Sequence, residues 1–413
     1  MTRRFLLVAL GLVALASCRP SPRPVPAQRL ARHVVLISLD GFRADYLQRP
    51  AAARLRALAA RGVRAERMIS VFPSKTFPNH YSIVTGLTAE HHGIVANVMR
   101  DSVLGRFTTR DTVAQSESRW WGGEPIWVTA ESQGIRAASV SWPGSEAAIK
   151  GVRPTWWQRY WHEEPPASKI DKVMRLLELP PDSAPGLITL YFHNVDTDGH
   201  EYGPAAPETD VAIARVDSAV GAIEDGIARL GLRDHVTLII VSDHGMAPVS
   251  GDRQVVLDDY IDVATIEMID WSPVGALVPR DGDVERAYRA LYGKHPHLQV
   301  YRKGEVPARF HFNDNPRITP IVLVADEGWS ITSRESLRRR AERGTTRWGG
   351  AHGYDPELPS MGALFVAAGP GIAQGSVVAP FRNVHVYSLI AHLLGLTPAR
   401  TDGSLDSVRV MLR

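Results

Sequence analysis

The chain has 413 residues, 44% of them hydrophobic, with 47 Lys and Arg against 44 Asp and Glu. That near-balance, without a long block of like charge, supplies no phosphate-tracking groove and argues against a nucleic-acid binder. A single cysteine, Cys18, excludes an internal disulfide framework, and the length allows one large α/β domain with an insertion or two domains.

The first seventeen residues, MTRRFLLVALGLVALAS, join Arg3 and Arg4 to an apolar run from Phe5 to Ala16. The run is too short to span a bilayer comfortably and reads as an export signal. It ends in Leu15-Ala16-Ser17-Cys18, which resembles the bacterial lipobox, where the chain is cut before a cysteine that is then lipidated. The expectation is a periplasmic protein anchored to a bacterial membrane through lipid on Cys18. Residues 18–32, with Pro20, Pro22, Pro24 and Pro26, would form a stiff spacer.

His33 to Leu39 (HVVLISL) is a continuous apolar run of strand length that ends in Asp40-Gly41, the pattern of a strand buried on both faces of a parallel sheet. An amphipathic helix over 50–61 is closed by Gly62. In SVFPSKTFPNHYSIVTGL, Thr76 stands where a helix should begin and Gly86 where it should end. Such a threonine ordinarily caps the helix. A hydroxyl at a helix N-terminus is also well placed to act as a nucleophile on phosphorus, because N–H groups and the positive dipole end stabilise an anion there. Asn97 follows in a loop.

From Trp120 to Trp161 the chain holds seven of its ten tryptophans, dense enough to pack a domain edge or to form a slot for a flat ligand. Leu187 to Val195 predicts a second buried strand, ending in Asp196-Thr197-Asp198-Gly199-His200. A helix from about Glu208 to Leu230 leads to HVTLIIVSDHG, a third buried strand ending in Asp243-His244. Three such strands ending in acidic residues should converge on one crevice, since ligands of open α/β sheets sit at the carboxyl ends of the strands. Residues 253–341 have their own strand and helix pattern and read as an inserted small α+β subdomain; 33–252 and 342–413 then form a catalytic α/β core with a mostly parallel sheet. Arg338, Arg339 and Arg340, the longest basic run, read as a solvated helix face.

Asp40, Asp196, His200, Asp243, His244 and His352 make a set of three carboxylates and three imidazoles. Mixed oxygen and nitrogen donors suit Zn²⁺ or a similar ion, and six are too many for one tetrahedral site, so two metals follow. Two ions could activate Thr76 and stabilise the attacking and leaving oxygens of a phosphoryl displacement.

The motifs DGFRADYL, PSKTFPNHYSIVTGL, HGIVAN, NVDTDGH, VSDHGM, PIVLVADEGW and GGAHGYD, in that order between His33 and Leu396, closely resemble the nucleotide pyrophosphatase/phosphodiesterase family of the alkaline phosphatase superfamily. The resemblance implies an alkaline phosphatase-like core and two zinc ions, one held by Asp40, Thr76, Asp243 and His244 and the other by Asp196, His200 and His352. It further implies that Asn97 and the N–H of Phe77 bind phosphate oxygens and that Phe77 and Tyr160 sandwich a nucleobase. The expected partner is a small nucleotide. A phosphodiesterase for a lipid head group or a phosphonate, and a non-catalytic zinc-binding lipoprotein, are the alternatives.

Overall fold

The computed structural model describes residues 29–345 and 347–413. The signal sequence, Cys18 and most of the proline spacer lie outside them.

Among the described residues the core is an eight-stranded sheet built around the strand His33–Leu39. This strand pairs in parallel with Leu187–Phe192 on one side and Val236–Val241 on the other. Ala137–Val140 and then Trp156–Gln158 extend the parallel array beyond Leu187–Phe192. On the other side Phe365–Ala368 is antiparallel to its neighbours, so the sheet is mixed but mostly parallel. The α/β expectation holds.

Strand periodicity sorts the central residues between two layers. Val35, Ile37 and Leu39 meet the helices Ala53–Arg61, Pro166–Leu177 and Pro207–Arg229. Val34 and Leu36 point to the other face, where Thr76–Thr85, Ile126–Ser132 and His385–Leu393 pack. All five strand residues are fully buried, which is why the run is apolar throughout rather than alternating. The helix Ala53–Arg61 has no side-chain cap of its own. Asp217, from the facing helix, accepts from the N–H groups of Arg54 and Leu55 instead. A cap of this kind contributes about 1 kcal/mol.

A separate four-stranded antiparallel sheet lies between residues 266 and 325, in the order Ile266–Asp270, Val274–Pro279, Ile321–Ala325, Leu298–Arg302. With the helix Val284–Leu291 it encloses a cluster that includes Leu277, Leu291, Leu298 and Leu323. The small sheet reaches the main domain through Asp270, at the end of its first strand, which pairs with Lys75 at 2.5 Å. The insertion therefore braces the residue that precedes Thr76.

Candidate active site

The carboxyl ends of the three central parallel strands deliver the acidic residues. Asp40 directly follows His33–Leu39, and Asp243 follows Val236–Val241 after Ser242. Asp196 arrives differently from the sequence expectation. The strand stops at Phe192 and the chain turns into the helix Asn194–Tyr202, so Asp196 and His200 sit four residues apart on one helical face rather than directly after a strand that runs to Val195. His200 Nε2 is 3.4 Å from Asp196 Oδ1, and His352 Nε2 is 3.6 Å from the same oxygen. His244 Nε2 is 2.9 Å from Asp243 Oδ2, 3.5 Å from Asp40 Oδ1 and 3.3 Å from Thr76 Oγ1. All seven residues expected to bind metal are thus gathered in one place.

Two glycines permit the approach. A Cβ on Gly41, at φ +68°, would stand 2.8 Å from the Asp196 Cα, and one on Gly349 would stand 1.9 Å from the His200 carbonyl. The Asp-Gly and Gly-Gly pairs in the sequence are there because two backbones pass this closely.

The cluster has the donor arrangement of a metal centre. His200, His244 and His352 each direct Nδ1 to a backbone carbonyl, of Gly350, Gly245 and Ser74 respectively, at 2.8–2.9 Å. Each Nδ1 therefore carries a proton and each Nε2 is turned toward the carboxylates, where it would offer its lone pair to a bound cation. Burial lowers His244, but the Asp243 carboxylate 2.9 Å away outweighs it and holds His244 above the usual imidazole range. Asp40 and Asp243 each have one oxygen held by a protein donor, Tyr191 Oη at 2.6 Å and the Gly41 N–H at 3.1 Å. Their other oxygens, and Oδ1 of Asp196, are buried without any hydrogen-bond partner. Burial and the neighbouring carboxylates of Asp243 and Asp196 push Asp40 well above the usual carboxylate range. Burial pushes Asp243 the same way, but the imidazoles of His244 and His80 outweigh it and hold Asp243 well below that range. His352 is pushed well below the usual imidazole range by burial and by His244 and His200. Unpartnered carboxylate oxygens facing inward-turned imidazole Nε2 atoms are what a cation would complete, and the residues fit a metal.

His80 also lies within ligand distance of Asp40 and Asp243. Both of its ring nitrogens are occupied, Nε2 with Ser38 Oγ at 2.7 Å and Nδ1 with the Thr76 carbonyl at 2.9 Å. It supports the centre, and His244 is the available ligand.

Thr76 is the first residue of its helix, and Lys75, not Thr76, occupies the N-cap position. The preceding loop is pinned by Asn79, which accepts from the Val71 N–H at 2.7 Å and donates to the carbonyls of Pro73 and Lys75. The hydroxyl therefore faces His244 instead of closing the helix. Phe77 N–H donates to Asn97 Oδ1 at 2.9 Å, so of these two expected phosphate ligands Asn97 Nδ2 is the donor left open. Thr76, Phe77, Asn97 and Tyr160 all line one cavity of about 640 Å³ together with Trp142 and Asp196. Phe77 packs on Phe107 and Trp121, whereas Tyr160 stands edge-on to Tyr191, and no direct contact joins the two rings among the described residues.

The profile of the type I phosphodiesterase / nucleotide pyrophosphatase family matches residues 34–355. The chain belongs to this family. Its members are metal-dependent hydrolases, and the Asp and His groups suit that chemistry. Among similar proteins, a bis(5′-adenosyl)-triphosphatase of Xenopus laevis is 38% identical over 94% of this chain and 83% of its own length. Human ectonucleotide pyrophosphatase/phosphodiesterase family member 5 is 35% identical over 100% of this chain and 84% of its own. The solved structure of murine ectonucleotide pyrophosphatase/phosphodiesterase 5 matches with a TM-score of 0.86 and 36% identity, covering 92% of this chain and 100% of that one. An inactive threonine-to-alanine variant of the murine protein, in complex with AMP, matches with a TM-score of 0.86 and 35% identity over the same shares.

Sequence reasoning passed over Tyr191, Asn79 and His80, which look like ordinary strand and helix residues. The one signal was position: each is a polar or amphipathic side chain inside an otherwise buried element. Tyr191 generates a direct expectation for this family member. Partners one step behind a ligand typically contribute 10- to 100-fold to metal affinity. Tyr191→Phe should accordingly weaken metal binding by about that factor, as read by competition with a chromogenic chelator, while the unfolding midpoint of the metal-free protein stays near that of the unmodified chain. Unchanged affinity would show that the Asp40 carboxylate needs no such support.

Proposed function

We propose that the protein hydrolyses nucleotide phosphodiester or pyrophosphate bonds and releases nucleoside 5′-monophosphates through a covalent phospho-Thr76 intermediate, with two zinc ions held by the Asp and His cluster. The observation that carries this reading is the Thr76 hydroxyl, set against His244 where two potential donor sets meet through Asp40 and Asp196. Three carboxylates and three imidazole Nε2 atoms are a donor set for Zn²⁺ or a similar first-row ion. Two bound ions would ease ionisation of the Thr76 hydroxyl and offset charge on the attacked and departing oxygens.

The residues of the chain do the rest. The N-terminal end of the helix Thr76–Thr85 favours an anion beside its first residue. Thr76 Oγ1 attacks phosphorus, the bond to the leaving oxygen breaks, and the nucleotidyl group rides on Thr76 until water releases it as the 5′-monophosphate. Asn97 Nδ2 is placed to donate to a phosphate oxygen, and Phe77 and Tyr160 supply apolar walls for a base in the shared cavity. Beside Thr76, Lys75 is held by Asp270 and Asn97 is neutral, so neither offers a free cation for the extra charge of a monoester dianion. Among the described residues Arg110, on the wall of the cavity, is the one Lys or Arg that lines it; this balance favours diesters. The AMP bound to the murine relative supports a nucleotide product, and the name of the Xenopus relative supports a nucleotide anhydride among the substrates.

Thr76→Ala should cut kcat on p-nitrophenyl thymidine 5′-monophosphate by at least about a thousandfold, as expected for a missing nucleophile, with Thr76→Ser retaining measurable turnover. A near-native rate in the Ala variant would mean that water attacks directly. A preference of the unmodified enzyme for p-nitrophenyl phosphate over this diester would contradict the diesterase reading.

The membrane part of the proposal, a periplasmic enzyme tethered through lipid on Cys18, is supported by the apolar run and the Leu15-Ala16-Ser17-Cys18 junction. No helix among the described residues is long and apolar enough to cross a membrane. Cys18→Ala should therefore move the protein from the membrane fraction to the soluble one, and continued sedimentation with membranes would contradict the anchor.

A further inference from the structure

A second cavity, of about 960 Å³, adjoins the first. Asn97, His200 and His352 line both, so the two meet at the carboxylate and imidazole cluster. Their walls differ. Thr76, Phe77 and Tyr160, with Arg110, belong only to the first cavity, whereas Arg340 and Arg347, with the Asp270-bound Lys75, belong only to the second.

These two arginines are unlike their neighbours. Arg338 and Arg339 behave as a solvated helix face, pairing with Glu335 and, for Arg338, Glu342. Arg340, expected beside them, turns away. Its guanidinium lies 4.0 Å over the Trp348 ring, one nitrogen donates to the Arg347 carbonyl, and its Nε is buried with no partner. The Arg347 guanidinium lies 4.8 Å over the Tyr202 ring. Neither arginine has a carboxylate partner among the described residues. Of the two acids on the wall, Asp270 is bound to Lys75 and Glu201 sits against the Tyr202 phenol. Stacking on an aromatic ring fixes the plane of a guanidinium and leaves its donors free, which suits it to phosphate.

The geometry of displacement says which part of a substrate would lie there. A leaving oxygen departs opposite the attacking one. Thr76 lines only the first cavity while His200 and His352 border both, so a group departing on the side away from Thr76 enters the second cavity.

We propose that Arg340 and Arg347 form a binding site for the phosphates of the leaving group, so that the enzyme favours substrates whose departing part is itself phosphorylated, the class of nucleoside polyphosphates, over diesters of an uncharged alcohol. This rests on the nucleotide phosphodiesterase reading above. Contacts to a charged phosphate are present before and during the reaction and act mainly through KM.

The test compares kcat/KM for ATP, which loses pyrophosphate, with that for p-nitrophenyl thymidine 5′-monophosphate, which loses an alcohol. It uses the unmodified full-length enzyme, Arg340→Gln, Arg347→Gln and the double variant. The ratio of the two values should fall by about tenfold or more in each variant, mostly through KM for ATP, as expected for the loss of a charge-assisted hydrogen bond. Inhibition of the p-nitrophenyl reaction by inorganic pyrophosphate should weaken in parallel, and Arg340→Lys should restore part of both. A ratio and a pyrophosphate inhibition that stay within twofold of the unmodified enzyme in all variants would overturn the proposal. So would an unmodified enzyme that cleaves the p-nitrophenyl diester but not ATP, with the phosphodiesterase reading left standing. Cleavage of neither substrate would overturn that reading and this proposal together.

Discussion

The constraint on which the structure turns is the gathering of three carboxylates, two of them buried, within reach of one another at one edge of a parallel sheet. Asp40 and Asp243 are almost wholly buried, and each presents an oxygen that no protein group satisfies. Burying such groups costs several kcal/mol unless they are paired. No lysine or arginine forms an ion pair with them among the described residues, and the three imidazoles that face them direct Nδ1 outward to backbone carbonyls and Nε2 inward. The fold therefore concentrates negative charge where it could have used apolar packing. A bound cation resolves the conflict. It also explains why Gly41 and Gly349 let backbones pass so closely and why Tyr191 and His80 bring polar atoms to the cluster from within buried elements.

Around that centre the chain is divided by chemistry. On one side a nucleophile at a helix start, aromatic walls and the neutral amide of Asn97 suit the retained nucleotidyl part of a substrate. On the other, two guanidiniums held on aromatic rings suit what leaves. The inserted sheet takes part through Asp270, which ties down Lys75 and keeps that cation from serving the Thr76 side. Specificity thus depends on elements far apart in sequence, while the reacting centre depends on the ends of three strands.

The central site was legible because a run such as HVVLISL or VTLIIV leaves little doubt about a buried strand, and the acid that ends it must face the crevice. Thr76 was legible from its Pro and Gly punctuation, although its role as first helical residue rather than cap depended on Asn79 pinning a loop eight residues earlier. Asp196 was placed on the right edge for the wrong reason. The apolar run to Val195 suggests a strand, but the helix begins at Asn194, and only the four-residue spacing from Asp196 to His200 hinted at it. Arg340 was misread because three consecutive arginines on an amphipathic helix look equivalent. They differ only in whether Glu335 and Glu342 or Trp348 come within reach, which is a tertiary fact. Tyr160 gave the least signal of all, one aromatic among many in a loop.

The measurement that bears most directly on the central claim is anomalous diffraction at the zinc edge from crystals of the protein purified with zinc. Two peaks are expected, one among Asp40, Asp243, His244 and Thr76 and one among Asp196, His200 and His352. A single peak, or none within bonding distance of these residues, would contradict the account.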